Sequence, residues 1–174
     1  MKKKCILVGL LLISLFMTNN YTSFAAQSEL SVPPMYKNLK GKDELIGFLS
    51  EIETLRENIN TITITPATVK ESSSKIKREI NFYISEMASI ENSIKMFDKK
   101  YNNSPPDLLF SQQISFILDS YKMSLNQQLV LIDGIMNNEV EATHLFHSDY
   151  LTYIYYYLNL GDQMISYIET FYNL

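Results

Sequence analysis

Glu141, His144 and His147 stand three residues apart, so on a helix their side chains rise from one face. Glu-x-x-His is a spacing used by carboxylate-bridged metal centres in helical bundles. Those centres use the motif twice and add a carboxylate from each of two further helices. This chain has two histidines in all, so a second motif cannot exist, and the sequence argues against a di-iron oxidase. One expectation left by these residues is a single metal ion held by Glu141, His144 and His147. The other is a pair of partly buried histidines at the end of a helical bundle, whose protonation loosens that end in mild acid.

Other chemistry lacks its residues. The only cysteine is Cys5, no Gly-x-Ser-x-Gly occurs, and Gly41 and Gly47 do not make a phosphate loop. The acid pairs Asp43–Glu44 and Glu51–Glu53 fall on solvated helix faces, not across the cleft a glycosidase needs. The sequence therefore predicts a protein that is not an enzyme and needs no cofactor.

The start of the chain predicts export. Lys2, Lys3 and Lys4 precede an uncharged apolar run, Cys5 to Met17, and Ser23-Phe24-Ala25 supplies the small residues a signal peptidase reads. The run of 13 residues is short beside the ~20 that a membrane span requires. The reading is a cleavable signal peptide over 1–25 and a secreted or extracellular protein, with periplasm or cell surface as variants. Cleavage removes the cysteine and three lysines but no acid. Lys plus Arg falls from 15 to 12 against 19 acids, a net of −7. That balance argues against nucleic acid as a partner and makes attraction to an anionic membrane unfavourable. The charge is uneven: Lys122 is the one basic residue among 101–174, where eight acids lie.

The rest of the chain must supply a core without disulfides, and about 149 residues suffice for one domain. Residues 26–42, with Pro33, Pro34 and Gly41, read as a loose leader. After it come four stretches whose apolar positions step alternately by 3 and 4, the spacing of a helix packed along a seam. Leu45, Phe48, Ile52, Leu55, Ile59 and Ile62 define a helix over about 43–63, with Asp43 as its cap. Thr65-Pro66 opens a second over 66–101, with Val69, Ile76, Ile80, Met87, Ile94 and Phe97 on its seam. Ser104-Pro105 repeats that device for a third over 106–136, with Ile114, Leu118, Tyr121, Leu125 and Ile132. After the turn signal Asn137-Asn138 a fourth spans 139–173, with Val140, His144, His147, Leu151, Ile154, Leu158, Gly161, Ile165 and Ile168. Glycine inside a helix costs about 1 kcal/mol, so Gly161 predicts a neighbouring backbone in close approach, the alternative being a bend in the helix. The expected fold is all-α: an antiparallel up-down-up-down four-helix bundle.

The fourth helix carries more apolar surface than one seam requires. Tyr150, Tyr157, Met164 and Phe171 form a second row spaced by seven, and Phe146, Tyr153, Leu160 and Tyr167 a third. Three readings follow. The helix is the most buried of the four, or these eight residues bind a protein partner or a second copy, or they line a space for an apolar ligand. The leading functional expectation is a secreted, non-catalytic protein acting by protein binding or self-association through this helix. Carriage of an apolar small molecule or metal, and membrane activity, are the alternatives.

Overall fold

The described residues, 33, 36–59 and 65–172, form five helices and no strand: α1 (Lys42–Ile59), α2 (Pro66–Lys100), α3 (Pro105–Met136), α4 (Val140–Ser148) and α5 (Tyr150–Tyr172). The expected signal peptide, residues 26–32 and residues 60–64 lie outside the described residues. No described helix is long and apolar enough to cross a membrane.

Local chemistry sets the helix ends. The Thr65 hydroxyl accepts the Thr68 amide at 3.1 Å while the Thr68 hydroxyl accepts the Thr65 amide at 2.7 Å, a reciprocal cap with Pro66 behind it. Helix α3 ends in a Schellman turn. The Glu139 amide donates to the Gly134 carbonyl and the Asn138 amide to that of Ile135, with Asn138 left-handed at φ 59°. Helix α1 starts at Lys42, so Asp43 stands in its first turn and is not its cap. Inside α2, Ser72 leaves helical geometry (φ −135°, ψ 17°) within the run Ser72-Ser73-Ser74, where hydroxyls compete for backbone partners.

Pairs across the helices fix their directions. Glu44 meets Lys100 and Phe48 meets Phe97, so α1 and α2 run antiparallel. Lys77 meets Asp133 and Lys122 meets Glu91, so α2 and α3 do too. Tyr121 reaches Asp162 and Ser124 reaches the Ile154 carbonyl, which sets α5 antiparallel to α3. Helix α3 packs against every other helix.

Two expectations are corrected. Where one helix is expected over 139–173 there are two. Asp149 (φ −128°, ψ 11°) ends α4 by donating its amide to the Leu145 carbonyl and starts α5 by accepting the Tyr153 amide. The most enclosed helix is α3, with fifteen of its 32 residues buried against five among the described side chains of α5. The reading that the last helix is the most buried is therefore set aside. The buried serines Ser111, Ser120 and Ser124 let neighbouring helices approach α3 closely.

The leader is not loose where it is described. Tyr36 is 5% exposed, with its ring against Phe110, Tyr167 and Phe171 and its hydroxyl donating to Gln113 Oε1 at 2.6 Å. The carboxylate of Asp107, itself fully buried, accepts the amides of Lys40 (3.1 Å) and Gly41 (2.9 Å) and the Ser104 hydroxyl. Gly41 is required there. A Cβ on it would lie 2.3 Å from the Phe97 ring.

Candidate functional site

The Glu-x-x-His motif sits on α4, away from the core. Glu141, His144 and His147 are all exposed, and Val140, expected on the seam, is 76% exposed. The two histidines are thus not partly buried. The physical reason is the break at Asp149, which frees α4 from the phase of α5. Its inward residues are Ala142, Leu145 and Phe146, the i, i+3, i+4 set of a helix that lies on a surface by one narrow edge. The His144 ring nitrogen Nδ1 is 3.4 Å from the Ser148 hydroxyl, and the His147 ring meets Phe146 edge-on. Among the described residues no three His, Cys, Asp or Glu side chains are grouped to hold a metal ion.

The aromatic rows of the last helix are divided by the same break. Phe146 belongs to α4, is half-buried and packs on the core. Tyr150 opens α5. Tyr153, Tyr157, Leu160, Met164 and Phe171 are half-buried, and Tyr167 is 44% exposed. Met164 and Phe171 also touch the core. These residues form one flank of α5, whose buried edge is Ile154, Leu158, Ile165 and Ile168.

The other flank of α5 carries charge that the sequence did not reveal. Arg56 of α1 grips Asp162 with two parallel bonds, Nε to Oδ1 at 2.8 Å and a terminal nitrogen to Oδ2 at 2.7 Å. The Tyr121 hydroxyl donates to the same Oδ1 at 2.7 Å, and the Arg56 guanidinium lies 5.6 Å from the Tyr121 ring centre. Burial, reinforced by the Asp162 carboxylate, pushes the Tyr121 hydroxyl far above the usual tyrosine range. A Cβ on Gly161 would lie 2.4 Å from that ring. The expected close neighbour is therefore a tyrosine side chain and not a helix backbone. Glu53, Glu57 and Glu169 line the same groove. Burial and the neighbouring Glu169 raise the Glu53 pKa. With its arginine paired on both prongs and its carboxylate accepting three bonds, this cluster is suited to holding α1 to α5. Arg56 and Asp162 are 106 residues apart, a separation that no local spacing rule bridges.

A second feature the sequence reading passed over lies on α3. Leu109, Phe116, Met123 and Val130 are exposed by 39%, 46%, 47% and 66%. Their spacing of seven is visible in the sequence and was hidden by the richer seam beside it. No protein-family model, no curated protein and no solved structure matches the chain.

Proposed function

We propose that the chain is an exported, non-catalytic protein, built as an antiparallel four-helix bundle whose last arm is α4 and α5 together. It works by binding another protein or itself through the aromatic flank of α5. One observation carries this reading. Tyr153, Tyr157, Leu160, Met164 and Tyr167 make a contiguous, partly exposed flank that holds no charged residue. Aromatic residues and methionine with charge depleted are the composition of interface centres. The docking of Tyr36 on Tyr167 and Phe171 supports it, since the chain lays its own aromatic side chain on one end of the flank. Export rests on Lys2 to Lys4, the run Cys5 to Met17 and the Ser23-Phe24-Ala25 site.

The test pairs Tyr153→Glu with Leu160→Glu. Both residues are only half-buried, so the helical circular dichroism is expected to persist while complexes recovered with the wild-type chain are lost. Complexes that survive both changes overturn the assignment of this flank. Amino-terminal sequencing of the exported chain is expected to begin at Ala26.

A further inference from the structure

We propose that the outer face shared by α3 and α5 is the seat of a second copy of this chain, arranged by a two-fold axis. The inference rests on the binding role given to α5 and deepens it by naming the partner.

The first argument is geometric. Leu109, Phe116, Met123 and Val130 make one straight row along α3, about 32 Å long at 1.5 Å rise per residue. The row lies on the same side as the aromatic flank of α5. Tyr36 shows this, because its ring contacts Tyr167 and Phe171 of α5 while its hydroxyl bonds Gln113, which stands between Leu109 and Phe116 one helical turn along. The opposite side of the α3–α5 pair is taken by α1 through Arg56, Asp162 and Tyr121. Two rows on adjacent helices, about 10 Å apart, thus make one face open to solvent, closed at one end by Tyr36.

The second argument is charge. Between the rows α3 presents Gln113, Ser120 and Gln127, which are uncharged, and the acid nearest the row, Asp119, stands on its far edge paired with Lys122 at 2.9 Å. The whole chain is net acidic at −4. A basic partner is selected by unpaired acids, and between the two rows there are none. Two acidic copies repel everywhere except across a surface that omits charge.

The third argument is size and symmetry. Two rows ~30 Å long with ~20 Å of combined width give ~600 Å² per copy. The total of ~1,200 Å² clears the ~1,000 Å² expected of a specific interface. An axis passing between Phe116 and Met123 sets each copy's Phe116 against the other's Met123 and each Leu109 against the other's Val130. One row then serves both sides of an isologous contact.

The experiment uses the full exported chain in sedimentation equilibrium over a concentration series. Wild type is expected to be a dimer. Phe116→Glu is expected to weaken the dissociation constant at least about a hundredfold with circular dichroism unchanged, and with the urea midpoint unchanged when both chains are compared as monomers at high dilution, because the side chain is nearly half exposed. Val130→Glu, the most exposed member of the row, gives the same reading should Phe116→Glu fail to fold. Combining Phe116→Glu with Met123→Lys is expected to restore the dimer, since the axis brings opposite charges together. A wild-type chain that stays monomeric, or a dimer indifferent to Phe116→Glu and Val130→Glu, overturns the inference. If a different protein is still captured in a manner sensitive to Tyr153→Glu and Leu160→Glu, the binding role of α5 stands without it.

Discussion

Two glycines on helices have opposite surroundings, and substitution is expected to move stability in opposite directions. A Cβ at Gly161 meets the Tyr121 ring at 2.4 Å, whereas at Gly47, inside α1, nothing lies within 4 Å. Gly161→Ala is expected to destabilise by about 1–3 kcal/mol, overpacking outweighing the gain in helix propensity. Gly47→Ala is expected to stabilise by about 0.5–1 kcal/mol. Urea titrations of the two variants against wild type check both signs. The position of Gly161 on a seam was legible because glycine interrupts an otherwise apolar row. The identity of its neighbour was not, because Tyr121 sits on a different seam 40 residues away. Asp107 was missed for a related reason. One carboxylate in a helix's first turn reads as an ordinary response to the helix dipole, and only the fold brings the Lys40 and Gly41 amides to it. Asp107→Asn is expected to cost about 1–3 kcal/mol and to release Tyr36 from Gln113, which two-dimensional NMR of the tyrosine rings would report.

Contacts between elements carry pH dependence of both signs. Glu91 on α2 accepts Lys122 of α3 at 2.7 Å and Lys95 of its own helix at 2.8 Å. The hydrogen bonds from Lys122 and Lys95 hold its pKa near about 2, below the ordinary 4.5. A depressed folded pKa stabilises above the unfolded value and loses that contribution as pH falls through the folded one. Stability is therefore expected to decline from about pH 4.5 toward 2, less steeply in Glu91→Gln. Glu53, between α1 and α5, has the opposite sign. Its pKa is raised by burial and by Glu169, so its neutral form fits the fold and stability falls as pH climbs through the raised value. Glu53→Gln is expected to remove that loss, and urea midpoints at a series of pH values test both variants. The elements themselves were largely readable. Thr65-Pro66 opens α2 as expected; Ser104-Pro105 opens α3, but the Ser104 hydroxyl bonds the Asp107 carboxylate and makes no cap to the helix backbone; seam residues from Leu45 to Ile135 fill the core. The break after α4 escaped because His144 and His147 keep the 3–4 rhythm without being apolar. The signal for it was present in Ser148-Asp149, polar residues of the kind that start a helix, directly before the apolar run of α5.

At the scale of the whole molecule, enclosure is unequal. Helix α3 is held by neighbours along its length, while α4 is nine residues long, has no buried residue and starts at Glu139 without a side-chain cap. A helix that short is not stable by itself in water, so its persistence rests on the half-buried Ala142, Leu145 and Phe146. This gives the fold a weak end and a strong centre. Amide protons along α4 are expected to exchange with solvent deuterium through local opening, far faster than those at Ile114 to Ile132, which exchange only when the whole domain opens. Hydrogen-exchange mass spectrometry would resolve the two regimes as separate uptake rates. The break at Asp149 is thus expected to have a temporal meaning as well as a geometric one: it cuts α4 off as a segment that opens without waiting for the rest of the domain.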